Sequence, residues 1–126
     1  MLKILLSSVG RRVELVRSFQ RAFRETGIAG EIVGTDVDWL APALQVVDHP
    51  RLVPSCHDPS FPSVILELCV REGVHAILPL IDPEIPVYAG LADQFRAHGI
   101  RLGVVDSAAA EITGDKWRTV AFFRQL

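Results

Sequence analysis

Leu2-Lys3-Ile4-Leu5-Leu6-Ser7-Ser8-Val9-Gly10-Arg11-Arg12-Val13 decides how this chain folds. Leu2–Leu6, apolar but for Lys3, reads as a strand buried on both faces. The run stops at two serines and a glycine. From Val13 the apolar residues Val13, Val16, Phe19 and Phe23 recur at helical spacing, and Gly27 ends that helix. A buried strand that turns at small residues into a helix gathers backbone N–H groups, a helix N-terminus and two arginines at one spot. That arrangement suits an anion. It is also locally unfavourable, because cations at a helix start oppose the helix dipole by roughly 0.3–1 kcal/mol each. Such a local conflict marks a functional position.

Outward from this unit, strand and helix signals alternate. Glu31–Thr35 is a second strand, Ala41–Val47 about one helical turn, and Arg51–Pro54 a short third strand placed at an edge by Pro54. Phe61, Val64, Ile65, Leu68 and Cys69 form a helical stripe, opened by Asp58-Pro59-Ser60 and closed by Gly73. Ala76–Leu80 is a fourth strand. Asp82-Pro83-Glu84 opens the next helix, with Asp82 as N-cap and Pro83 at the first position; Tyr88, Leu91 and Phe95 line its inner face and His98-Gly99 closes it. Arg101–Val105 is a fifth strand, Asp106-Ser107 caps a short helix over Ala108–Ile112, and Gly114-Asp115 starts a last helix.

This alternation predicts an α/β fold: a Rossmann-like three-layer sandwich with a five-stranded parallel sheet of order 3-2-1-4-5 and helices on both faces. Ligands then sit beyond the carboxyl ends of the strands, where the loops after strands 1, 2 and 4 converge. With 126 residues, 49% of them apolar, the chain suits one compact domain. No apolar run approaches the ~20 residues of a membrane span, and no secretory signal is visible. The net charge of −2 gives no global sign of nucleic-acid binding. Cys56 and Cys69 have no metal-type spacing, and a reduced, cytoplasmic chain is the simplest account. The last helix carries Trp117, Phe122 and Phe123 and has no stop signal before Leu126, so the chain is expected to continue into further architecture.

The first loop offers Ser7, Ser8, Gly10, Arg11 and Arg12. Hydroxyls and backbone N–H groups could hold a carboxylate or phosphate, with an arginine as a bidentate clamp. The bland counterpart is a tight turn whose arginines face water. Adjacent helical residues project about 100° apart, so both arginines stay candidates. Asp36, after the second strand, sits where dinucleotide folds bind ribose, but Ser8-Val9-Gly10-Arg11-Arg12-Val13 lacks the three glycines of that fingerprint. Asp36 is left to bind an amine or hydroxyl, or to cap its turn. Asp82 and Glu84 follow the fourth strand, where helix-start preferences alone would explain both. Arginines on one loop and carboxylates on two others suit a zwitterionic, amino-acid-like ligand. Asp36, Asp82 and Glu84 together form a weak Mg²⁺ candidate, and no resident metal site is assigned.

Four stretches, taken in order, resemble the N-terminal pre-ATP-grasp domain of ATP-grasp ligases, nearest to the carbamoyl-phosphate-synthase-large-subunit-like branch. They are Leu5 through Val16, Gly34-Thr35-Asp36-Val37-Asp38 with Leu40-Ala41-Pro42-Ala43, Leu78-Pro79-Leu80-Ile81-Asp82-Pro83-Glu84, and Gly114-Asp115-Lys116. The resemblance implies residues 1–113 as the pre-ATP-grasp domain and 114–126 as the start of the helix leading into an ATP-grasp domain. It implies a reaction in which ATP phosphorylates a carboxylate and an amine or other nucleophile then displaces phosphate from the acyl phosphate. Lys116 matches a lysine that contacts ATP phosphate in such proteins. ATP and Mg²⁺ are then cofactors of the longer protein, with neither expected tightly bound to this chain, and no catalytic residue is assigned within it. The expected partners are the missing C-terminal ATP-grasp domain and a small carboxylate or amino-acid-like substrate; a homodimer is kept open, and no nucleic acid or membrane is expected. The alternative reading is a self-sufficient Rossmann-like module binding a nucleotide or small anion.

Overall fold

The computed structural model describes residues 1–104 and 107–126. Among these, strands β1 (Leu2–Ser7), β2 (Gly30–Asp36), β3 (His49–Leu52), β4 (Ala76–Pro79) and β5 (Arg101–Leu102) form one parallel sheet in the order β3-β2-β1-β4-β5. The helices are α1 (Val13–Thr26), α2 (Phe61–Glu72), α3 (Glu84–Gly90), α4 (Ala92–Ala97), α5 (Ser107–Thr113) and α6 (Lys116–Arg124), with a 3₁₀ turn over Pro42–Gln45. Strand alternation divides the core between the two faces of the sheet. Leu5, Val33 and Ile77 pack with Phe61, Ile65, Leu68, Tyr88 and Phe95 from α2, α3 and α4. Leu6 and Ile32 pack with Val9 of the β1–α1 loop, Val16 of α1, and Ala43 and Leu44 of the 3₁₀ turn. The result is the expected three-layer sandwich.

The register brings the carboxyl ends of the central strands level. Ser7 lies opposite Thr35 on β2 and Pro79 on β4. The loops after β1, β2 and β4 therefore leave the sheet side by side. The Leu80 N–H donates to the Ser7 carbonyl at 3.1 Å, and the Val9 N–H to the Thr35 carbonyl at 3.0 Å.

Several boundaries differ from the sequence reading. β3 starts two residues earlier than expected, and its proline is Pro50, opposite Gly34. An edge strand accepts a proline because the missing N–H can face outward. The helix expected through Tyr88, Leu91 and Phe95 is two helices, broken at Leu91 (φ −99°, ψ 3°) just after Gly90. Pro86 is tolerated in the first turn of α3, where its N–H would have no helical partner. Asp82 is not the N-cap. Pro83 holds that position without a side-chain cap, and Asp82 serves only through its carbonyl, which accepts from the Ile85 N–H at 3.1 Å. β5 ends at Leu102; Val105 and Asp106, expected in its end and in the next cap, lie outside the described residues. Asp115 caps α6 as expected, accepting from the N–H groups of Trp117 and Arg118. No residue of α6 is buried, and Trp117 is 84% exposed.

Candidate functional site

The β1–α1 loop is tightly specified. Ser8 (φ 58°) and Gly10 (φ 50°) are both left-handed. For glycine this is free; for serine it costs on the order of 1–2 kcal/mol. Surrounding groups hold the shape. The Ser8 hydroxyl donates to Glu84 Oε1 at 2.5 Å, across 76 residues of sequence. The Gly10 N–H donates to Asp36 Oδ2 at 2.8 Å, and the Gly10 carbonyl accepts from the Ala43 N–H at 2.9 Å. Between them the Val9 side chain is fully buried. The first loop is thus tied to the end of β2 and to the first turn of α3 by one carboxyl group from each.

Beneath this loop lies a buried polar chain. Ser7, Thr35, Tyr88 and Glu84 are all at most 1% exposed. The Tyr88 hydroxyl donates to Ser7 Oγ at 2.8 Å, and Thr35 Oγ1 approaches the same oxygen at 3.5 Å. Burial pushes the Glu84 carboxyl above its ordinary value; the Ser8 and Ser7 hydroxyls work against that rise, the nearby Asp36 carboxylate adds to it, and Arg12 opposes it weakly. Burial likewise raises the Tyr88 hydroxyl well above its ordinary value and, with Glu84 adding, lifts the Cys56 thiol. Glu84 Oε2 has no hydrogen-bond partner.

The structure thus sorts the sequence candidates. Ser7, Ser8, Gly10, Asp36 and Glu84 come together. Arg11 and Arg12 stand at the rim, both exposed. Arg12 reaches back to the Ser8 carbonyl at 3.4 Å and occupies the N-cap of α1 with no side-chain cap bond. Asp82 is exposed on the neighbouring loop, and Lys116 is exposed at the first position of α6. Asp36 uses one oxygen on Gly10 and the other on the Asp38 N–H, 3.0 Å away. Among the described residues no three His, Cys, Asp or Glu side chains gather where a metal could bind, so Asp36, Asp82 and Glu84 do not form a Mg²⁺ cluster. Sequence reasoning took Tyr88 as core only and passed over Thr35. The available signal was that a buried tyrosine hydroxyl usually finds a partner. Among the described residues no helix is long and apolar enough to cross a membrane.

The family model for the PylC-like N-terminal domain matches residues 4–103. A phosphoribosylamine–glycine ligase of Ralstonia nicotianae is 38% identical over 64 residues, 51% of this chain and 15% of that protein. One from Brucella melitensis is 48% identical over 42 residues, 33% of this chain and 10% of that protein. The chain thus spans a small part of the length of these relatives. Among solved structures, a glycinamide-RNase-transformylase T from Mycobacterium tuberculosis superposes with a TM-score of 0.67 at 17% identity, over 94% of this chain and 33% of that one. The biotin carboxylase subunit of a pyruvate carboxylase gives 0.62 at 21%, over 99% of this chain and 28% of that one. At these identities the structural likeness speaks for the fold.

Proposed function

This chain belongs to the PylC-like N-terminal domain family, and from that premise we propose that it is the substrate-side domain of an ATP-dependent carboxylate–amine ligase of the ATP-grasp class. The observation that carries the reading is the loop cluster. Two exposed arginines stand over a rigid β1–α1 loop, at the carboxyl edge where a ligand of such a sheet belongs. The names of the sequence relatives point the same way, since phosphoribosylamine and glycine are an amine and an amino acid. The finer placement in the carbamoyl-phosphate-synthase-like branch rests on the sequence motifs alone.

In this reading Arg11 and Arg12 take a carboxylate or phosphate of a small substrate, and Asp82 faces its polar or cationic part. Ser7, Ser8, Gly10, Asp36 and Glu84 shape the floor against which it rests. Rigid placement of this kind is what a ligase needs to bring a carboxylate and an amine together. The described residues do not fit Mg²⁺: both Asp36 oxygens are engaged, Glu84 is buried, and the carboxylates are not gathered. In this reading ATP and Mg²⁺ belong to another domain of the longer protein. Residues 1–113 form the substrate-side unit, and 114–126, with Lys116, lead toward the nucleotide. The chain by itself is not catalytic, and it works in the cytoplasm.

The test is a screen for ADP formation by the longer protein carrying this domain, with ATP, Mg²⁺ and a panel of small carboxylates paired with amines. Turnover that needs one carboxylate and one amine is expected, with none from the 126-residue chain alone. Tight, saturable nucleotide binding by this chain alone, seen by calorimetry, would instead support the self-sufficient binding module.

A further inference from the structure

We propose that Glu84 is a positioning residue: from the first turn of α3 it holds Ser8 left-handed and so fixes the shape that the β1–α1 loop presents. An acid in the first turn of a helix ordinarily sits in water and favours the helix dipole. Glu84 does neither. It is 1% exposed, and its Oε1 is the acceptor for the hydroxyl of the one non-glycine residue with positive φ among those described. Left to itself, Ser8 would relax to an ordinary backbone conformation. The bond to Glu84 opposes that relaxation.

Burial favours the uncharged form of Glu84 beyond the ordinary carboxyl range. The groups that face it are the Ser7 and Ser8 hydroxyls, the Asp36 carboxylate from β2, Arg12 at the start of α1, Tyr88 one turn along α3, and the Cys56 thiol from the loop before α2. Arg12 is the one cation among them. It is exposed, turned toward the Ser8 carbonyl, and forms no ion pair with Glu84. A buried carboxylate with an unpartnered oxygen, no paired cation and a like charge nearby is strongly disfavoured. The folded chain thus holds a proton on Glu84 above the ordinary value of 4.5, where the unfolded chain has released it. Between 4.5 and the raised value, stability falls as pH rises, because burying the charge costs more than the Ser7 and Ser8 hydroxyls return.

Amide proton and nitrogen chemical shifts of Ser8, Val9 and Gly10, followed across pH by NMR, test this in the 126-residue chain. In the wild type the three resonances should titrate together above pH 4.5. Glu84→Gln, which mimics the neutral acid, should abolish that movement above pH 4.5. Glu84→Ala should displace them at all pH values. In a Ser8→Gly background that displacement should shrink severalfold, because glycine adopts the left-handed conformation unaided. The proposal is overturned if Glu84→Gln disturbs the loop as much as Glu84→Ala, or if Ser8→Gly leaves the effect of Glu84→Ala intact. Should Glu84→Ala fail to fold, the wild-type and Glu84→Gln titrations decide alone: the same pH-dependent movement in both overturns the proposal. No ligand enters this test, so its failure and failure of the ligase reading are separate results.

Discussion

Asp36→Asn is the substitution that most directly probes how the site loop is held. Each Asp36 oxygen accepts one backbone N–H, from Gly10 at 2.8 Å and from Asp38 at 3.0 Å, and the side chain is only 9% exposed. Asparagine offers one acceptor oxygen. Whichever way its amide turns, an NH₂ group confronts a backbone N–H, so one bond is lost and one donor is left unpaired. A hydrogen bond to a charged group contributes about 1.5–3 kcal/mol, and a stranded buried donor costs about 1–3 kcal/mol. The two overlap, and a net loss of about 2–4 kcal/mol is expected. Asp38→Asn is the control. Asp38 is exposed, and its Oδ1 accepts from Leu40 N–H at 2.9 Å, a bond that the asparagine oxygen can keep. That change should stay within about 0.5 kcal/mol. Urea unfolding of both variants gives the comparison, and the Gly10 amide resonance reports whether the loop has moved. An Asp36→Asn variant as stable as Asp38→Asn, with Gly10 unmoved, would refute the view that Asp36 is structural cement rather than a free ligand group.

Tyr88→Phe removes the donor 2.8 Å from the buried Ser7 hydroxyl while keeping the ring, and should cost about 1–2 kcal/mol in urea unfolding. Gly34→Ala would bring a methyl within 2.6 Å of Val47 Cγ1, and should cost about 1–3 kcal/mol, partly recovered by Val47→Ala in the same chain. Burial pushes the Cys69 thiol up to about 12, so a thiol reagent at pH 8 should modify it only as fast as the chain opens. Glu31 is held below its ordinary 4.5, first by its hydrogen bond to His49 at 2.6 Å. Its contribution is present above pH 4.5 and lost as pH falls through the lowered value, so Glu31→Gln should flatten the acid side of the stability profile.

The sheet order was legible because each strand and helix carries its own local signal, and right-handed crossovers leave few ways to connect them. Boundaries were less legible where the deciding force is not local. Pro50 sits within β3 because an edge strand allows it, which the sequence alone cannot announce. The break at Leu91 interrupts an apolar spacing that reads as continuous. Within the site, the chemistry of Ser8, Asp36 and Glu84 was visible as residue types, but their roles were not. As residue types, Asp36 and Glu84 look like free ligand groups. Asp36 instead accepts from Gly10 and Asp38, and Glu84 from Ser8, a pairing that only the folded sheet creates. Asp82, the residue that looked most plainly like a cap, is the carboxylate left exposed.

The central claim is that the β1–α1 loop meets the substrate and not the nucleotide. Its most direct test is the Arg11→Ala, Arg12→Ala double variant of the longer protein, assayed for KM toward its carboxylate substrate and toward ATP. Loss of charged hydrogen bonds to an anion predicts a rise in substrate KM of about tenfold or more. The KM for ATP should stay within about twofold, because losing contacts to one ligand leaves uniform binding of the other intact. An equal rise in the KM for ATP, or no change in either, would contradict the account.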